Sequence, residues 1–428
     1  MRVCIRTILV ALLAGALAVA AQTPASAPQR LTLAQAIGQA QANSIAFQAA
    51  VVAEGLAKSN RTVARAALLP SLDYSTTAIY NSHGAYLNSN GVHEYMSLGD
   101  LHENLGWGQV AGLQQAQAGV ALARAQAEIA ARGLAATVTQ AYYTLLDDAH
   151  KLATARQAAG DAATYVRYSQ DLERGGEVAH ADVIQAQLLL AQSQRADTEA
   201  QLAEHQARLA MAVLLYPNFN ENFTLVDDLA QPPPLPSQAR IQALAGRHNP
   251  QLAAAEAALA QARDAVGVAR ASLLPSLGFD YQYGIDAPQY ATEDRLGNPN
   301  LGSQVTATLA VPVFHWGANR AQLHQAGLLA GLAQRQLSYA QRQLLASLQA
   351  DYAEAQAARQ ELANLAESQN LAAESLRLIA LSYRNGAATI LQLVDAQTAL
   401  TQARDAYNDG QVRYRVALAA LQTLTGAF

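Results

Sequence analysis

Apolar positions from Leu31 to Ala66 recur at helical spacing, and the pattern stops just short of Pro70 because the residue before a proline avoids the α region. From Gln109 to about Arg174 the chain carries no proline and only helix-tolerated glycines, so one helix close to ~100 Å long is expected. Gly175-Gly176 ends it, since glycine accepts the left-handed backbone that closes a helix. Val178–Leu215, free of glycine and proline, predicts a shorter helix. The second half reads the same way. A short helix spans Gln238–Ser272, a long one runs from about Ala318 to Tyr383, Asn385-Gly386 breaks it, and a short one covers Ile390–Leu424. In each half the two short helices together match the long one. Each half therefore predicts a rod, with one continuous helix packed along two short ones stacked end to end. Seams such as Leu188, Leu189, Ala191 and Leu391, Val394, Leu400 would supply the contact.

Between short and long helices the period changes to two. Leu277, Phe279, Tyr281 and Tyr283 alternate with Gly278, Asp280, Gln282 and Gly284; Val305, Ala307, Leu309 and Val311 alternate with Gln304, Thr306, Thr308 and Ala310. Strands of ~10 residues with one apolar and one polar face are the signature of a transmembrane barrel. The intervening Ile285–Gly302 is polar and rich in turn residues. In the first half, Leu72, Tyr74, Thr76 and Ala78 give a weaker strand, and its partner around Glu94–Leu105 is irregular, so its register stays open. Ordinary hairpins on a soluble domain would show the same alternation. Four strands per chain cannot close a barrel, and an open edge in lipid leaves backbone groups unpaired, so closure requires several chains around an axis. Two chains would give eight strands and a filled interior, three would give twelve and an open lumen.

The halves are copies. "ARAALLPSLDY" (Ala64–Tyr74) returns as "ARASLLPSLGFDY" (Ala269–Tyr281), "GWGQVAG" (Gly106–Gly112) returns loosely as "HWGANRA" (His315–Ala321), and "RGGEVAHADVIQAQ" (Arg174–Gln187) returns as "RNGAATILQLVDAQ" (Arg384–Gln397). The match sets a first repeat over 31–215 and a second over 238–428, joined by the proline-bearing segment 216–237.

The ends and the composition narrow the setting. Arg2 and Arg6, an apolar core from Ile8 to Ala16 and the small residues before Ala20-Ala21 read as an export signal over 1–21. Its apolar run is short of the ~20 residues a spanning helix needs. The only cysteine is Cys4, so the mature chain has no disulfide and no thiolate metal site. Removing Arg2 and Arg6 moves the net charge from −5 to −7, which disfavours nucleic acid as a partner. Hydrophobic residues make up 51% but aromatics only 6%, so the apolar share is largely alanine and leucine, suited to narrow, close-packed helical seams.

The duplication, the "LLPSL" lead-ins to both hairpins, "VPVFHWGANR" after the second, and the two tips with Ala-Gln ten residues beyond the glycine together resemble the TolC family of outer-membrane efflux channels. That resemblance covers essentially the whole mature chain. It implies a mainly α fold with a small β part: long antiparallel helical hairpins forming an α-barrel tunnel, plus a four-strand share of a trimeric transmembrane β-barrel. It implies a homotrimer in the outer membrane, in contact with outer-membrane lipid and reaching into the periplasm. A periplasmic adaptor would dock on the tips, Arg174, Gly175, Gly176, Asn385 and Gly386, and join the duct to an inner-membrane pump. Similar proteins hold the mouth shut by an acid six residues past the first tip glycine and a tyrosine three before the second, here Asp182 and Tyr383. An arginine expected at position 388 is replaced by Ala388, leaving Arg384 as its substitute. Of two constriction aspartates, the first position is Gln392 and the second is Asp395, a ring that would favour cations.

Other chemistry is poorly supported. Nine histidines form no metal-ligand spacing; His93/His102 and His315/His324 are each nine apart, and His83 and His93 fall in the expected outer loop of the first hairpin. No nucleophile elbow, Walker loop or dinucleotide fingerprint is present, and Asp147-Asp148 and Asp227-Asp228 are neighbours in sequence only. No enzyme, cofactor or metal is expected, and Tyr142, Tyr143, Tyr165 and Tyr168 read as packing residues. The rival class is a soluble periplasmic coiled-coil scaffold whose hairpins bind partner proteins.

Overall fold

The computed structural model describes residues 29–80, 93–219 and 222–426; the expected signal over 1–21 and His83 lie outside the described residues. The elements run β1 (Gln29–Leu31), α1 (Leu33–Asn43), α2 (Ile45–Ala66), β2 (Ser71–Tyr80), β3 (His93–Leu105), α3 (Trp107–Arg174), α4 (His180–Leu215), β4 (Phe223–Leu225), α5 (Gln238–His248), α6 (Pro250–Ala271), β5 (Ser276–Ala287), β6 (Leu301–Ala310), α7 (Ala318–Arg384) and α8 (Ile390–Thr425). The long helices α3 and α7 hold 68 and 67 residues. None of the helices among the described residues is long and apolar enough to cross a membrane.

The leading helix of each half, expected as one piece, is two. Ser44 takes an extended backbone and its hydroxyl accepts the Phe47 N–H, starting α2. Asn249 does the same for Leu252, with Pro250 in the first helical position where its missing N–H costs nothing. The break also joins the stacked helices. The Asn43 side chain donates to the Leu215 carbonyl at the end of α4, and the Asn249 side chain donates to the Leu424 carbonyl near the end of α8. Each bond satisfies a carbonyl that a helix end leaves open.

The long helices carry the stacking. Toward the sheet, α2, α3, α6 and α7 lie side by side; toward the other end the order is α4, α3, α8, α7. The expected rods are thus present, but they are merged, because α3 also packs on α6 and α8 of the other repeat. Of the expected seam positions Leu189 and Leu400 are buried and Val394 is half-buried, whereas Leu188, Ala191 and Leu391 are exposed; Val183, Ala186 and Ser193 on α4 and Ile390, Leu393 and Ala396 on α8 complete the buried stripes. Their three- and four-residue spacing keeps one narrow stripe against α3 and α7.

Where α4 meets α1, a core gathers Leu31, Val138, Tyr142, Met211, Leu215 and Phe223. Here β1 pairs in parallel with β4, and the Tyr142 hydroxyl reaches the carbonyls of Val226 (2.6 Å) and Leu31 (3.1 Å). Part of the segment between the repeats is thereby bound onto the helices.

The four remaining strands form one antiparallel sheet in the order β2-β3-β5-β6. β3, irregular in sequence, is a full strand paired on both sides: Gly99 sits between Tyr74 of β2 and Tyr283 of β5, and Leu101 between Leu72 and Tyr281. Its alternation is blurred because small residues there lie between flanking tyrosines. Ser97 Oγ, for instance, is 2.7 Å from the Tyr74 hydroxyl. Gly284 is obligatory in this register, since a Cβ would fall 2.0 Å from the Ser97 carbonyl oxygen. One face carries Leu72, Tyr74, Leu277, Phe279, Val305 and Leu309, all exposed. The other carries Asp73, Asp100, Asp280, His102, Gln282 and Gln304.

Candidate functional site at the helix tips

Far from the sheet, the chain turns twice by one device. After α3, Gly175 keeps helical angles and Gly176 has φ +75°; the Gly176 N–H bonds the Glu173 carbonyl and the Glu177 N–H bonds that of Leu172. After α7, Asn385 and Gly386 (φ +71°) repeat this, with Gly386 bonded to Tyr383 and Ala387 to Ser382. Both are Schellman closures, and both need a residue that tolerates the left-handed region. The two turns adjoin, since a Cβ on Gly386 would lie 3.2 Å from a carboxylate oxygen of Glu177.

Behind the tips one apolar cluster joins all four helices: Ala162 and Tyr165 of α3, Ala186 and Leu189 of α4, Leu376 and Tyr383 of α7, Leu393 and Leu400 of α8. Tyr383 is buried, and its hydroxyl lies 2.6 Å from Ser169 Oγ. Burial, aided by the negative charge of Asp182, raises its pKa, against the Ser169 hydrogen bond. Burial likewise lifts Tyr165 to about 12, and its hydroxyl reaches Gln397 at 3.4 Å. Arg384 lies over the Tyr168 ring, 5.7 Å from its centroid.

The expected latch and constriction residues are therefore placed as follows. Tyr383 and Arg384 both reach α3 of their own chain, at Ser169 and Tyr168. Asp182 is half-buried in the first turn of α4, where its charge also suits the helix N-terminus. Gln392 and Asp395 share the exposed face of α8. Gln392 has a local duty as well: its amide oxygen accepts the Thr389 N–H at 2.9 Å while Thr389 Oγ1 accepts the Gln392 N–H, a capping box. Arg174, Gly175, Gly176, Asn385 and Gly386 are all exposed. Among the described residues no three His, Cys, Asp or Glu side chains converge to hold a metal.

The profile of the family described as "Outer membrane efflux protein" matches residues 36–215 and 242–427. The chain belongs to that family. Its place is accordingly the outer membrane. A curated relative, the pyoverdine export outer membrane protein OpmQ of Pseudomonas putida, is 33% identical over 258 residues, 59% of this chain and 50% of that protein. The match thus spans about half the length of the relative. The solved structure of the outer membrane protein VceC of Vibrio cholerae superposes with a TM-score of 0.79 at 20% identity, covering 92% of this chain and 96% of that one. The CmeC outer membrane channel of Campylobacter jejuni gives 0.77 at 18%, covering 92% and 85%. These two show the fold, a mostly helical TolC-type channel protomer with a small sheet.

Within this efflux-family chain, sequence reasoning missed Ser169 and the partner of Arg384. Tyr165, Tyr168 and Ser169 stand three and four residues apart on α3, so they share a face. That spacing was the available signal. Tyr168, expected as a packing residue, also carries the Arg384 cation over its ring.

Proposed function

We propose that this protein is the exit duct of a tripartite efflux or type I secretion system: a homotrimer that conducts passively, catalyses no reaction and opens at its periplasmic tips when an adaptor docks there. The observation that carries this reading is the open edge of each layer. β2 and β6 end the sheet on either side. In the helical layer α7 stands at one margin with Leu328, Leu332, Leu345 and Leu378 exposed, and α2 and α4 stand at the other with Val52, Leu56, Ile184 and Leu202 exposed. Unlike margins that meet head to tail generate a ring when the rotation closes. Three chains would supply twelve strands, the number that leaves an open lumen. The exposed Leu/Tyr/Val face of the sheet would meet outer-membrane lipid, and the Asp/Gln face the channel.

At the mouth, Asp182, Tyr383 and Arg384 form the latch, Gln392 and Asp395 the constriction, and the turns at Arg174–Gly176 and Asn385–Gly386 the adaptor contacts. The pump beyond the adaptor supplies the energy. Transport is outward, as the name of the pyoverdine-export relative indicates for that protein. The reading predicts that the protein leaves the outer membrane only with detergent and sizes as three chains. A monomer soluble without detergent would overturn it and leave the periplasmic scaffold. For the constriction, Asp395→Ala should shift the reversal potential of the channel toward weaker cation preference, and an unshifted potential removes Asp395 from that role.

A further inference from the structure

Two hydroxyls meet inside the tip cluster, and their protons decide which way the tie runs. Ser169 is 0% exposed and Tyr383 1%. Ser169 Oγ lies 2.9 Å from the carbonyl oxygen of Tyr165, one turn back on α3, and 2.6 Å from the hydroxyl of Tyr383 on α7. A carbonyl only accepts, and a serine has a single hydroxyl proton. Both contacts are hydrogen bonds at once only if Ser169 donates to Tyr165 and Tyr383 donates to Ser169. The one phenolic proton of Tyr383 is then used on α3. Asp182, whose ionised carboxylate also only accepts, would need that same proton to bond Tyr383.

We propose that Ser169 is the positioning residue of the gate: by accepting the Tyr383 proton it fixes α7 against α3, and Asp182 acts at the mouth separately from that hydrogen bond. This rests on the reading of the tips as the mouth of a duct. The neighbouring pair strengthens the grip, because Arg384 lies over Tyr168, so adjacent residues on α3 hold adjacent residues on α7. The two contacts differ in strength. Arg384 is exposed and its ring contact is weakened by water, whereas the hydroxyl pair sits in a dry cluster where an unmatched donor is costly. The proposal also predicts an asymmetry. Ser169→Ala strands the Tyr383 proton without an acceptor, while Tyr383→Phe leaves the Ser169 bond to Tyr165 intact and loses less.

The test is a mutant cycle on the full chain in planar bilayers, read as open probability with unit conductance as the control. Ser169→Ala is expected to raise open probability roughly tenfold and Tyr383→Phe roughly threefold. The double variant should fall well short of the product, with unit conductance unchanged. Asp182→Ala should multiply with Tyr383→Phe. Should Ser169→Ala and Tyr383→Phe multiply freely while Asp182→Ala and Tyr383→Phe do not, the tie runs through Asp182 and the proposal fails. The same cycle read as melting temperature in detergent needs no current. Wild-type protein that never conducts sinks the duct reading; an absent Ser169–Tyr383 coupling in the melting cycle sinks the clasp.

Discussion

The two tips carry matching sequences, close with the same glycine turn, and are held in opposite ways. Two hundred and ten residues separate equivalent positions, so Glu173 matches Tyr383, Ala179 matches Thr389, His180 matches Ile390, and Asp182 matches Gln392. The first tip is a polar loop near the surface, with Glu173 2.7 Å from His180 across the turn and Arg174 paired with Asp171. Its following helix starts at Ala179 with no side-chain cap. The second tip is packed and capped: Tyr383, Ile390 and Leu393 are buried, and Thr389 with Gln392 closes the capping box. Exposed ion pairs contribute little and are screened by salt, whereas buried side chains and caps contribute more. The difference divides labour: one tip offers charge at the surface, the other anchors its turn to the body of the protein.

The largest expected contrast is therefore Tyr383→Ala against Glu173→Ala. The first should cost about 3–5 kcal/mol of folding stability and the second under about 0.5, read by chemical denaturation of the protein in detergent. Near-equal losses would erase the contrast. The shared turn should behave alike in both places: Gly176→Ala and Gly386→Ala each force a left-handed alanine and should each cost about 1–2 kcal/mol. Caps come next. Thr389→Ala should lose about 1 kcal/mol, while Ala179→Thr should gain a fraction of that by giving α4 the cap it lacks. The smallest effect is Glu173→Gln, under about 0.5 kcal/mol and further reduced in ~1 M salt. A loss of several kcal/mol there would mean that the polar tip is itself a structural anchor.

The long helices and their tips were legible because prolines and glycines punctuate them: Pro70, Gly175-Gly176 and Asn385-Gly386 set bounds that the structure meets within a residue or two. The interruption at Asn249 was also written in the chain, since Pro250 follows a capping residue, but helical periodicity on both sides masked it. Thr389 and Gln392 carry the spacing of a capping box, so the sequence assigns Gln392 a local duty beside the pore role expected of it. β3 could not be placed from its own pattern, because its small residues make sense only beside Tyr74 and Tyr283 on other strands. Ser169 was legible only as far as its face, which it shares with Tyr165 and Tyr168. Its role is not readable until the fold brings a tyrosine from 214 residues away onto it.

The account stands or falls on whether these tips gate a conducting pore. Single-channel recording of the purified mature protein in a planar bilayer, wild type against Asp182→Ala combined with Tyr383→Phe, tests this directly. The expected result is small, cation-preferring steps in the wild type and more frequent or larger opening in the variant. Bilayers that contain the protein yet pass no current, or traces identical between the two proteins, would contradict it.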